Sequence, residues 1–255
     1  MIKRLVIFAS LIGCGIALAT QSVKTVNGLA IASVKTGNGL AVASVKTFAD
    51  LDNTAPAGNI TFVASASAHG NFTEATTAAI DTTGATLLVA VMGNIDNAAV
   101  VPTDSKGNTW TALTKRSGDN SSEGQIYYSI PTTVGTGHTF TTSGGTSNYC
   151  SMCVAAFADT NASPYEAESG AANASQPGSL TPAGNGSLLV AGIGYYTGDP
   201  STINSSFTVA EYQNSGAGVN FGSGLAYLIQ TTAAAVNPTW TGVSSGGCVM
   251  AVFKP

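Results

Sequence analysis

Leu87-Leu-Val-Ala90 recurs as Leu188-Leu-Val-Ala191, and the segments downstream of the first copy recur downstream of the second. Tyr128-Ser-Ile-Pro-Thr-Thr133 lines up with Tyr227-Leu-Ile-Gln-Thr-Thr232, and Thr139-Phe-Thr141 with Thr239-Trp-Thr241. The series closes on Met152-Cys-Val-Ala-Ala-Phe157 and Cys248-Val-Met-Ala-Val-Phe253. The offset stays near 100 residues throughout, so the differences in length fall in loops. Apolar runs that return in order at one spacing indicate a repeated structural unit. They mark two halves, near residues 59–158 and 179–255. Val154-Ala-Ala-Phe157 and Val249-Met-Ala-Val-Phe253 do not alternate, which predicts central strands covered on both faces.

Outward from these runs, the chain from Asn59 is a succession of short segments rich in Val, Thr, Tyr, Phe and Ile. Clusters of Gly, Asn, Ser, Asp and Pro separate them. Strands are predicted over 60–66, 86–92, 109–115, 125–130, 138–142, 149–157, 187–195, 207–212, 224–230, 238–241 and 248–253. No stretch holds an apolar stripe of helical period. The fold class is therefore all-β: a jelly-roll-like antiparallel β-sandwich over residues 52–255, with about four strands from each half.

Before the sandwich stands a different kind of repeat. Ser22-Val-Lys-Thr25 returns at Ser33–Thr36 and Ser44–Thr47, and Asn-Gly-Leu-Ala at Asn27–Ala30 and Asn38–Ala41. Asn-Gly is the strongest short signal for a two-residue hairpin. Turns at Asn27-Gly28 and Asn38-Gly39 would make residues 20–51 a three-stranded meander, an intermolecular β shaft, or a flexible tether. Met1-Ile-Lys-Arg4, the apolar run from Leu5 to Ile16, and small residues at Ala17 and Ala19 match a secretory signal peptide over residues 1–19. A second reading takes Leu11-Ile-Gly-Cys14 as a lipoprotein box with Cys14 lipidated. The mature chain would then have no membrane span and would lie outside the cell, on its surface, or on a virion.

Only 9% of the residues are charged, against about 25% in average soluble chains. Ser, Thr, Asn and Gly must carry solubility, and no basic footprint for nucleic acid exists. Cys150, Cys153 and Cys248 remain after Cys14 leaves with the signal, an odd number. Strand residues three apart face opposite sides, so Cys150 and Cys153 do not converge on a metal. Buried thiols, or one bridge of Cys248 to Cys153 or Cys150, are the expectations. No metal or other cofactor is implied.

The residues that could carry chemistry are sparse. Asp96, Asp104 and Asp119 could gather around calcium, but Asp104-Ser-Lys-Gly-Asn108 reads more simply as a turn. Glu166-Ala-Glu168, between Pro164 and Gly170, reads as a solvated loop rather than a glycosidase pair. His69 and His138 belong to no nucleophile motif. No catalytic residue is assigned. The aromatic pairs Tyr127-Tyr128 and Tyr195-Tyr196 would each send one ring inward and one outward. Tyr128, Tyr195 and Tyr196 are the candidate contacts to a glycan or protein partner. Trp110 and Trp240 read as packing.

The series Leu87–Ala90, Asp104-Ser-Lys-Gly-Asn-Thr-Trp110, Ile126-Tyr-Tyr128, His138-Thr-Phe-Thr141 and Ala155-Ala-Phe157 resembles a recurrent β-sandwich module of bacterial extracellular and phage-associated proteins. The Ser-Val-Lys-Thr array similarly resembles tandem repeats near the ends of phage and bacterial surface proteins. The resemblance implies a fold and a setting, and it brings no catalytic residue. The expected function is a non-catalytic structural or adhesive protein that presents a sandwich on a repeat stalk. It would self-associate through the stalk or meet a surface or virion partner. The alternative is a carbohydrate-binding protein that recognises extracellular glycans.

Overall fold

The computed structural model describes residues 59–71, 73–95, 100–143, 149–214 and 221–255, together with two short strands near the start. The chain divides into two units, Met1–Asn53 and Thr54–Pro255. In the first unit β1 (Thr25–Val26) pairs antiparallel with β2 (Leu29–Ala30), with Val26 opposite Leu29. Asn27-Gly28, which joins them in the sequence, lies outside the described residues. The second hairpin, the signal segment and the lipoprotein box lie outside the described residues.

The second unit contains one strand path twice. In the first half, β3 (Thr61–Asn71), β10 (Tyr149–Ala158), β4 (Leu87–Ile95), β8 (Ser122–Ser129) and β6 (Thr111–Ala112) lie side by side in that order. A short β7 (Arg116–Ser117) also pairs with β8. In the second half the order is β11 (Tyr165–Ala174), β17 (Gly246–Phe253), β12 (Ser187–Tyr195), β15 (Gly222–Gln230) and β14 (Thr208–Gln213). Outside each large sheet sits a small one: β5 (Val101–Asp104) with β9 (Phe140–Ser143), and β13 (Gly198–Ile203) with β16 (Trp240–Val243). Isolated bridges Thr76↔Thr141 and Ile80↔His138 add a segment beside β9, and Leu180↔Val236 adds its counterpart in the second half.

Counted along one half, the first strand pairs the last, the second segment the next to last, and β4 pairs β8. This is a long hairpin rolled on itself, the path of a jelly roll. The roll closes within each half, so the duplication is of whole rolls rather than of four-strand contributions to one. The second copy begins earlier than the sequence repeat suggests, at β11. Glu166 and Glu168 therefore stand on an edge strand and not in a solvated loop, because residues 165–174 pair along β17 with a bulge at Glu166. Bulges recur in the edge strand β14, between Val209 and Glu211, where they discourage further pairing.

Three apolar layers result from this path. Along β4, Leu87, Val89 and Val91 face the layer between the two large sheets, while Leu88, Ala90 and Met92 face the first half's own outer layer. Along β12, Leu188 and Val190 face the middle, and Leu189, Ala191 and Ile193 the second half's outer layer. Both sides are apolar, which is why neither run alternates.

The middle layer is two-fold symmetric in its contacts. Tyr128 of the first half stacks on Tyr165 (centroids 5.7 Å, planes 7° apart) and meets Phe253 edge-on at 5.6 Å. Tyr227 of the second half stacks on Phe62 (5.2 Å, 3°) and meets Phe157 edge-on at 5.4 Å. Ladder registers make Phe62 the counterpart of Tyr165, and Phe157 that of Phe253. Each half gives the other what it receives, as in an isologous dimer interface fused into one chain.

At the opposite end of this layer glycines bring the backbones of the two halves together. A Cβ on Gly194 would run into the Glu123 carbonyl oxygen, and one on Gly124 into the Gly247 carbonyl oxygen. A Cβ on Gly93 would likewise strike the Gly222 carbonyl oxygen. Stacked sheets normally lie about 10 Å apart. Here glycines let the backbones touch, so the layer narrows from an aromatic end to a glycine end.

Candidate functional site

Asp104 organises the outer layer of the first half. It ends β5, and the turn Ser105–Asn108 folds its own N–H groups back onto the carboxylate. Oδ1 accepts from the backbone N–H of Lys106 (2.9 Å) and of Asn108 (3.3 Å), and from Asn108 Nδ2 (3.1 Å). Trp110 Nε1 donates to Oδ2 at 2.9 Å, and His138 Nε2 to Oδ1 at 3.1 Å. Nδ1 of His138 lies 2.8 Å from Thr82 Oγ1, and its ring stacks on Phe140 at 4.3 Å. Asn108 Oδ1 in turn accepts from the N–H groups of Thr132 and Thr133.

The order Thr82, His138, Asp104 imitates a hydroxyl, base and acid relay. Sequence spacing missed it, although Asp104 and His138 both sit in quoted motifs. Thr82 and the side chains of His138 and Asp104 are fully buried, and Thr82 Oγ1 also engages the Gly135 backbone. A carbonyl carbon has no path to that hydroxyl. Five N–H groups are aimed at the oxygens of Asp104, four at Oδ1 and one at Oδ2. The relay fastens the fold.

Four glutamates also hold hydrogen bonds or an ion pair. Glu168 accepts from the Thr114 backbone N–H at 3.1 Å across the middle layer. Glu211 accepts from Ser65 at 2.8 Å and Ser67 at 3.0 Å on the opposite rim. Glu166 Oε1 accepts from the Ala183 N–H at 2.6 Å, and Glu123 pairs with Lys115 at 3.0 Å. His69 Nδ1 meets Gln213 Nε2 at 2.7 Å.

The predicted tyrosine contacts separate. Tyr195 is 1% exposed, and its hydroxyl donates to the Gln213 carbonyl. It is a core residue of the second half, and burial raises its pKa, with smaller contributions from Cys153, Asp199 and Tyr212. Its expected role in contacting a partner is corrected accordingly: β12 puts Tyr195 inward and Tyr196 outward. Tyr196 packs edge-on against Phe221 at 5.0 Å, at the glycine end. Tyr128 is half-buried at the aromatic end.

The expected Cys153–Cys248 bridge does not form, because the two residues face different layers. Cys153 points into the middle layer, while Cys248 points into the second half's outer layer, and all three thiols are free. Cys150 faces the first half's outer layer, so neither is it in reach of Cys248. Burial pushes the Cys153 and Cys248 thiols up to about 12.

One open cleft involves a predicted contact. Tyr128, Ile130, Ser163, Pro164, Tyr165 and Lys254 surround about 280 Å³ at the aromatic end. Ile130 is 48% exposed there. Burial, then the Glu168 and Tyr128 charges, raises the Tyr165 pKa, so its hydroxyl stays protonated and able to donate at neutral pH. Compared with known proteins, the chain matches no family model, no curated protein and no solved structure.

Proposed function

We propose that this chain is a non-catalytic structural or adhesive protein, exported to a cell surface or carried on a virion, that presents a double jelly roll on a repeat stalk. One observation carries the reading: the acids and the histidine best placed for chemistry are occupied in fastening the fold. Asp104 and His138 bind the first half's outer layer to itself, while Glu168 and Glu211 tie one half to the other. Two fused rolls with a shared apolar layer form a stiff body suited to being held and displayed. The low charge and the abundant Ser, Thr and Gly suit an exposed β surface. The short pair Thr25–Val26 and Leu29–Ala30 leaves strand edges that further strands could join, a route to self-association.

The test is the absolute mass in solution of the chain from residue 20 and of the same chain lacking 22–47, by light scattering. An oligomer that collapses to monomer on deletion supports an assembling stalk. Two identical monomers remove self-association from the reading, and turnover of any polysaccharide by the intact chain removes its non-catalytic part.

A further inference from the structure

The pseudo-two-fold axis allows each residue at the aromatic end to be compared with its counterpart, and the comparison is unequal. Phe62 stacks on Tyr227 where Tyr165 stacks on Tyr128. Ala158 follows Phe157 where Lys254 follows Phe253. Ile60, 2% exposed and part of the middle layer, precedes Thr61 where Ser163 precedes Pro164. The ladders support these pairings: Phe157 lies opposite Phe62 and Phe253 opposite Tyr165. Lys254 N–H donates to the Pro164 carbonyl.

At one copy, then, the position holds a buried isoleucine with a phenylalanine and an alanine beside it. At the other a small hydroxyl replaces the isoleucine, leaving the cleft of about 280 Å³. A phenol and an ammonium have been added to its wall. Packing does not require them, since the twin site does without all three. Among the described residues, the Lys254 ammonium makes no ion pair and donates no hydrogen bond, whereas Lys115 pairs with Glu123 and Lys106 donates to the Thr136 carbonyl.

We propose that this cleft is a binding site for one carboxylate-bearing sugar ring, with Lys254 taking the carboxylate and the Tyr128–Tyr165 stack and Ile130 taking the ring. The cleft is near the lower limit of small-molecule sites, about 300 Å³, which suits a single ring. Aromatic rings beside hydroxyls suit the mixed apolar and polar faces of a pyranose, and a lone ammonium in a chain of net charge −4 selects an anion. The inference deepens the adhesive reading above by naming what the sandwich would hold, and it fails separately from it, since light scattering does not depend on the cleft.

The experiment is a titration of the isotope-labelled chain from residue 20 with glucuronate, followed by amide shifts. Glucose, acetate and acetyl-alanine serve as parallel probes. Saturable shifts confined to residues around Lys254 and Tyr165 are expected with glucuronate. Lys254→Gln should weaken binding about tenfold, the loss of one charge-assisted hydrogen bond. Ser163→Ile, which copies the twin site and so keeps the fold, should abolish it. Absence of saturable shifts overturns the proposal, as does unchanged affinity in both variants. Equal binding of acetate would reduce the site to a charge, equal binding of glucose would remove the carboxylate's role, and tighter binding of acetyl-alanine would make it a peptide-terminus site. Each of these three results also overturns the sugar assignment.

Discussion

The two halves share a path but fill its outer layer with opposite chemistry. In the first, Asp104 sits opposite Phe140 at the end of β5 and gathers the N–H groups of Trp110, Asn108, Lys106 and His138. In the second, Ile203 sits opposite Trp240 at the equivalent point of β13. The neighbouring contacts agree: Ser105 N–H donates to Thr139, and Asn204 N–H to Thr239. Trp240 keeps its Nε1 without a partner, where Trp110 has Asp104. The same roll is thus held once by a polar hub and once by an apolar plug. Strand ladders set the path, and the filling is free to vary.

The comparison is most exposed at the hub. Asp104→Ala leaves several buried donors without an acceptor and is expected to cost about 3–5 kcal/mol of unfolding free energy in urea denaturation. Ile203→Val, at the twin position, should cost only about 0.5–1.5 kcal/mol. Equal losses would mean that the hub does not fasten the first half.

The middle layer predicts likeness instead of contrast. Phe157→Ala and Phe253→Ala should each cost about 3–4 kcal/mol and agree within about 1 kcal/mol. A large inequality would break the two-fold description. At the narrow end Gly124→Ala forces a Cβ against the Gly247 backbone and should cost about 1–3 kcal/mol. Gly84→Ala, with open space but φ of 84°, is the control for backbone strain alone, about 1 kcal/mol.

The thiols add a pH dependence to this comparison. Burial raises Cys153 and Cys248 from 9.0 to about 12, and it raises Cys150 as well, partly offset by Thr142 and neighbouring backbone hydrogen bonds. Between these values the unfolded chain has lost protons that the folded chain keeps. Their contribution to stability is therefore complete below pH 9 and declines as pH rises toward 12. Denaturation midpoints from about pH 8 to 11 should fall less in the Cys153→Ala, Cys248→Ala double variant, and a thiol reagent at about pH 8 should label none of the three thiols without denaturant. Prompt labelling would place a thiol at the surface.

Much of the fold was legible. Ser187–Tyr195 is a strand with the expected bounds, and the repeated apolar runs foretold the equivalence of β4 with β12 and of β10 with β17. Strand β11 escaped because Pro164 and Gly170 punctuate it and its Ala, Ser and Gly residues carry little apolar signal; an edge strand needs only one partner. Strands β5 and β13 escaped for a like reason, being short and broken by proline. The cleft was half visible, in Tyr128 alone. Tyr165, Ser163 and Lys254 join it only when the second half folds against the first.

Composition and periodicity by themselves determined an all-β chain and a duplicated unit, because each is a property of residues near one another in sequence. Tertiary structure alone decided which face each residue serves. A central strand that is apolar on both sides gives no hydropathic sign of inside and outside, so Tyr195 could turn into the core and Cys153 away from Cys248 without a mark in the sequence. The glycine end is of the same kind: Gly194 is conspicuous only when the Glu123 carbonyl of the other half arrives against it.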